Sequence, residues 1–183
     1  MDEMKFLNTA LLAGREKVVF VILSKKHFFE AMNYAVEKLA LNNKPIVLVA
    51  SLKKTLNIAA LQDKKNIFLI NACGKEENNS DYFVESPSNL TDIQIGIEKG
   101  LVNRRGEKMV FIDSLGEIEK NVSEKNIQRF MYVFSNKLKL NSIPGIIFAI
   151  SDELSEETVS LMSQFCDKTF DYSKILLESI DLD

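Results

Sequence analysis

Tryptophan is absent from this chain, and histidine occurs once, as His27. One imidazole cannot build a histidine metal site and leaves little for a nucleophile–histidine–acid triad; His27 is expected at a helix start near solvent. No Gly-x-Ser-x-Gly elbow is present. The two cysteines, Cys73 and Cys166, lie too far apart in sequence for a usual metal or redox motif. They are expected as reduced thiols in a cytoplasmic protein, with Cys73 the more reactive of the two. No apolar run approaches the ~20 residues of a membrane span, and Met1-Asp2-Glu3-Met4-Lys5 lacks a signal peptide's hydrophobic stretch. Glycine occurs seven times, with none between Gly14 and Gly74.

What remains is an ordinary globular composition: 46% hydrophobic and 27% charged residues, with a net charge of -3. The 183 residues suit a single domain over 1–183, with 175–183 a terminal segment that frays or docks. A net acidic chain without interleaved aromatic and basic residues is a poor nucleic-acid binder, although Arg104-Arg105 and local lysines could touch phosphate.

Continuous apolar runs predict strands buried on both faces at Lys17–Leu23, Ile46–Ala50, Ile67–Ile70, Met109–Ile112 and Gly145–Ile150, with a sixth at Lys168–Phe170. Helical spacing follows at 28–41 (Phe28, Ala31, Met32, Ala35, Val36, Leu39), through Leu52, Leu56, Ala59 and Ala60, and from a Ser88 cap through Leu90, Ile93, Ile97 and Leu101. Two more helices start at Ser123 and near Ser155-Glu156-Glu157, whose carboxylates complement a helix dipole. The polar stretch from Gly74 to Asn89 reads as a long loop with one anchoring piece, Tyr82-Phe83-Val84, and as a candidate contact segment. Alternating strands and helices imply a three-layer α/β/α sandwich around a mostly parallel sheet.

Ligands of such sheets bind beyond the carboxyl ends of the strands. The polar residues there are Ser24-Lys25-Lys26, Ser51 to Thr55, Asn71, Asp113-Ser114 and Ser151-Asp152. The first strand and helix are laid out as in a phosphate-binding loop, but the glycines that let successive N–H groups converge on an anion are missing.

Four segments carry a resemblance to the RecA superfamily, specifically its KaiC-like archaeal and bacterial branch, over about residues 6–173. Leu7-Asn8-Thr9-Ala10-Leu11-Leu12-Ala13-Gly14 is similar to the family's "LDELLGGG" entry, and Val49-Ala50-Ser51-Leu52-Lys53-Lys54-Thr55 resembles "YVSLEES". Phe111-Ile112-Asp113-Ser114-Leu115 resembles the Walker B segment "VIDSL", and Phe165-Cys166-Asp167-Lys168-Thr169-Phe170 the closing "ADGVI". The resemblance implies a RecA-like P-loop NTPase fold with strand order 3-2-4-5-1-6. The departures fall on the chemistry. Walker A, G-x-x-x-x-G-K-[ST], is lost, leaving Lys25 or Lys26 near its lysine and no Ser or Thr for magnesium. The family's water-activating "EE" pair is replaced by Lys53 and Lys54, which are protonated at neutral pH.

Ser24, Lys25, Lys26, Lys53, Lys54, Asp113 and Ser114 therefore form a remnant site, in which an ammonium of Lys53 or Lys54 is expected to replace magnesium as the counter-charge of Asp113. The resulting expectation is a pseudo-ATPase: a non-catalytic, regulatory or scaffolding module of signalling or assembly that binds a protein partner or itself and needs no cofactor. The alternative is an altered site that holds ATP with magnesium, or another phosphorylated ligand, without efficient hydrolysis.

Overall fold

The computed structural model describes residues 3–41, 45–53, 64–73 and 80–173. The predicted apolar runs become β1 (Val18–Leu23), β2 (Ile46–Ser51), β3 (Ile67–Asn71), β5 (Lys108–Ile112) and β6 (Gly145–Ile150). β7 (Lys168–Asp171) lies at one edge. At the other edge the anchoring piece of the long loop forms a short β4 (Tyr82–Phe83). The sheet has seven strands in the order β4-β3-β2-β5-β6-β1-β7, and every pairing is parallel. With β4 set aside, this is the 3-2-4-5-1-6 order expected above.

The strands read as unbroken apolar runs because both faces are covered. Along β1, Val19, Val21 and Leu23 face one core, and Val18, Phe20 and Ile22 face the other. The first core is closed by α1 (Glu3–Ala13) and α2 (Lys25–Ala40). The second is closed by α3 (Leu90–Asn103), α4 (Leu115–Glu119), α5 (Glu124–Leu140) and α6 (Glu156–Phe165). The result is the three-layer α/β/α sandwich. Each fully buried large side chain, such as Phe20, Phe111 or Phe148, contributes roughly 1.5–3 kcal/mol to holding the layers.

Several boundaries differ from the sequence expectation. Phe6, Leu7, Ala10 and Leu11 put α1 on the core as a helix where the sequence suggested only a motif entry. α2 begins at Lys25 rather than at Phe28. Asn89, not Ser88, caps α3, because its side-chain oxygen accepts from the Asp92 N–H at 3.2 Å. The short α4 was not anticipated. The helix expected through Leu56, Ala59 and Ala60 and the terminal segment 175–183 lie outside the described residues. No helix among the described residues is long and apolar enough to cross a membrane.

α3 approaches β2 and β3 closely because Gly100 has no side chain. A Cβ built there would lie 2.4 Å from Leu48 Cδ2 and 2.7 Å from Phe68 Cδ1. Gly100→Val is expected to cost about 1–3 kcal/mol through overpacking, read as a lower midpoint in urea at unchanged slope. An unchanged midpoint would contradict this packing.

Candidate functional site at the carboxyl ends of the strands

The parallel register brings the ends of β2, β3, β5 and β6 into one row. β2 pairs with β5 from Ile46–Lys108 to Ala50–Ile112, so the residue after β5, Asp113, lies against the residues that follow Ala50. Asp113 is fully buried. Its carboxylate accepts from the Leu52 N–H at 2.7 Å, the Ser51 hydroxyl at 3.2 Å and, more weakly, the Lys53 N–H at 3.4 Å. The chain of β2 is thus turned around a buried anion, whose cost of desolvation is offset by charge-assisted hydrogen bonds. Ser51 also lies 3.6 Å from Cys73 Sγ, and the Cys73 N–H donates to the Asn71 side chain at 3.1 Å. Asn71 therefore belongs to this cluster, as its place at a strand end predicted.

The counter-charge expected beside Asp113 was an ammonium of Lys53 or Lys54, of which Lys53 is among the described residues. Lys53 meets Asp113 through its main-chain N–H, while its ammonium is directed to Glu153, with Oε1 at 2.6 Å and Oε2 at 2.8 Å. Glu117 Oε1 lies 3.2 Å from the same nitrogen. Lys120 completes the group, 2.9 Å from Glu117 and 3.5 Å from Glu153. Two cations and two carboxylates thus neutralise one another over the strand ends. Lys54 lies outside the described residues.

Glu117 comes from α4, and Glu153 from the 3-10 turn Ser151–Glu153 after β6. These elements meet closely because of Gly116, where an added Cβ would lie 2.9 Å from Glu153 Cβ. Burial alone would raise the Glu117 carboxyl, but hydrogen bonds from Lys120 and Lys53 outweigh it and hold the group below its ordinary value. The hydrogen bond to Glu117 raises Lys120 above the ordinary lysine value. At the other end of α4, Glu119 accepts from the Ser155 N–H at 3.1 Å and the Thr158 hydroxyl at 3.0 Å, supplying an anion to the start of α6. None of Glu117, Glu119, Lys120 and Glu153 was singled out from sequence. Their only signal was position, since each follows the end of β5 or β6.

Ser24, Lys25 and Lys26 fall on the other side of β6, at the end of β1. Ser24 is the whole connection: β1 ends at Leu23 and α2 begins at Lys25. A turn of one residue, extended at φ -70° and ψ 152°, has no length with which to wrap phosphates. The Ser24 hydroxyl oxygen is buried without a hydrogen-bond partner among the described residues, as is that of the fully buried Ser114. Lys25 and Lys26 are exposed. The remnant residues are therefore split: Lys53, Asp113 and Ser114 gather at the ends of β2 and β5, while Ser24, Lys25 and Lys26 stand beyond β6.

Among the described residues, the turn after β1 and the surroundings of Asp113 do not form a magnesium–nucleotide cradle. The cradle has neither glycine nor length, and the oxygens of Asp113 are engaged by main-chain N–H and hydroxyl donors. Among the described residues, no group of three or more His, Cys, Asp or Glu is placed to share a metal ion. Comparison of the chain with protein-family models and with curated proteins finds no match.

Asp113→Ala leaves the Leu52 N–H and the Ser51 hydroxyl without their acceptor and is expected to cost at least about 2 kcal/mol, measured by denaturant titration. Because Glu117 is held below its ordinary value, its contribution is complete above the ordinary carboxylate pKa of about 4.3. It is lost as pH falls through the lower, folded-state value. Glu117→Gln should therefore destabilise the protein at neutral pH and flatten this acid limb. An unaltered acid limb would show that the lysine contacts do not stabilise the fold.

Proposed function

We infer that this chain is a RecA/KaiC-like domain that has lost nucleotide chemistry and acts as a regulatory or scaffolding module by binding protein. The observation that carries the reading is the mutual neutralisation of Lys53, Glu153, Glu117 and Lys120, with Lys53 also linked to Asp113 through its main-chain N–H. A hydrolytic site of this layout needs a carboxylate near the attacking water and an anion free to support magnesium. Here the first is replaced by lysine, and the second accepts the main-chain N–H groups of Leu52 and Lys53, just beyond β2. The strand order and the four motif-like segments support the RecA-like half of the reading. The one-residue turn after β1 supports the loss of the phosphate site.

One feature favours the second reading, an altered anion site. α2 carries no acidic residue in its first turn, and Lys25 and Lys26 stand there beside the Ser24 hydroxyl, which has no hydrogen-bond partner among the described residues. An anion at that helix start would be favoured electrostatically.

A ligand at a hundred times its Kd adds about 2.7 kcal/mol to stability. The purified chain is expected to melt at the same temperature with and without millimolar Mg-ATP. A saturable upward shift abolished by Asp113→Asn would overturn the reading. A shift produced equally by inorganic phosphate, and lost in Lys25→Glu/Lys26→Glu, would replace it with the anion site.

A further inference from the structure

The two edges of the sheet are finished differently. On the β4 side, the Leu69 N–H that points out of β3 donates to Asp81 Oδ2 at 2.8 Å, and Arg104 holds the other oxygen of that carboxylate at 3.2 Å. Further along β3, the outward Asn71 carbonyl accepts the Val84 N–H at 2.8 Å. A side-chain carboxylate and the short β4 thereby close this edge to a further strand.

The β7 edge has no such closure among the described residues. The Asp167 N–H donates to the Val18 carbonyl at 2.7 Å, so the main chain of Asp167 is turned towards β1. Main-chain groups alternate in direction along a strand. Those of Thr169 therefore also face β1, and those of Lys168 and Phe170 face outwards. Neither the N–H nor the C=O of these two residues has a hydrogen-bond partner among the described residues. Beside them a groove of about 540 Å³ runs between β7 and α1, and Leu12 in its wall is 65% exposed. An unpaired edge beside an apolar groove is what strand addition uses.

β7 is complementary to itself. In an antiparallel pair related by a two-fold axis, the residue on the axis stands opposite its own copy. With Thr169 on the axis, Lys168 of each copy stands against the partner's Phe170. Both pairs exchange N–H and C=O, and every outward group of both strands is satisfied. The neighbouring registers fail. An axis at Phe170 needs the main chain of Tyr172, which is already in a helical turn. An axis at Lys168 needs the Cys166 N–H, which donates to the Met162 carbonyl at 3.0 Å, and it opposes two lysines. Side chains agree with the axis at Thr169. The exposed Thr169 meets its copy on the α6 side, where its hydroxyl lies 3.1 Å from Ser163. On the α1 side each Lys168 is set beside the partner's Phe170 ring. Outside the bonded pairs Asp167 faces the partner's Asp171, and Lys139, 3.1 Å from Asp167, supplies a counter-charge.

We propose that two copies of this chain join through β7, antiparallel about a two-fold axis at Thr169, so that their sheets become one continuous sheet. This rests on the reading of the domain as a protein-binding module and names its partner as a second copy of the chain. The contact consumes the open edge of both copies and leaves outside the β4 edges that Asp81 closes, so assembly stops at two.

The full chain is followed by sedimentation over a range of concentrations. A reversible step from one copy to two, with nothing larger, is expected. Lys168→Pro removes an outward donor and leaves the bonds of β7 to β1 in place. Because the donor is lost twice per dimer, association should weaken roughly tenfold or more. Across the axis the two Thr169 Cα atoms should lie about 4.5 Å apart, within the span of a disulfide. Under mild oxidation Thr169→Cys should therefore give a disulfide-linked dimer, with the 169–169 linkage identified by mass. Lys168→Cys, displaced along the strands from its copy, should not. A chain that sediments as a monomer throughout overturns the proposal. So does association indifferent to Lys168→Pro, assembly that grows beyond two copies, or linkage at 168 as ready as at 169. Mg-ATP binding measured on the same samples separates the two readings: a dimer that binds nucleotide sinks the loss of nucleotide chemistry and keeps the edge contact. A monomer that binds no nucleotide does the reverse.

Discussion

The carboxylate of Asp113 organises the functional end of this molecule. It is fully buried, and it survives there because the ends of β2 supply donors to it: the Leu52 N–H at 2.7 Å and the Ser51 hydroxyl at 3.2 Å. That arrangement fixes where the chain of β2 leaves the sheet, and so where Lys53 stands. The ammonium of Lys53 then draws in Glu153 from beyond β6 and Glu117 from α4, and Glu119 at the far end of α4 anchors the start of α6. Connections that would be independent loops over an open crevice are thereby tied together by charge. Each link is modest where solvent reaches it, but the chain of links starts from a group that cannot be left unpaired.

Much of the fold was legible because its physics is local or periodic. Strands covered on both faces must be continuous apolar runs, and β1, β2, β5 and β6 were recognised on that ground. α5 was recognised from Ile127, Phe130, Met131, Phe134 and Leu138, all buried as their spacing requires. β4 was visible only as an anchoring piece, since two residues at an edge carry no period. In α1 the helical spacing of Phe6, Leu7, Ala10 and Leu11 is obscured by the segment's likeness to a motif entry. α4, with five residues, is too short to show a period at all.

The site was legible in its positions and not in its pairings. Asp113, Ser51, Asn71 and Lys53 lie where strand ends had to place them. The partner of the Lys53 ammonium is a hundred residues away in sequence, and nothing local to either residue announces it. Equally hidden was the length of the turn after β1. Helical spacing began at Phe28, which left room for a short loop. The helix in fact starts at Lys25, because Ser24 alone reverses the chain and its carbonyl already accepts the N–H groups of His27 and Phe28.

The Leu52 N–H and the Ser51 hydroxyl hold the end of β2 on the Asp113 carboxylate. Amide hydrogen exchange of Leu52 tests it most directly. An amide donating to a buried carboxylate should exchange only through large-scale opening, as slowly as those at the centres of β1 and β6, and at the same rate with Mg-ATP present. Fast exchange at Leu52 that slows when Mg-ATP is added would contradict the account.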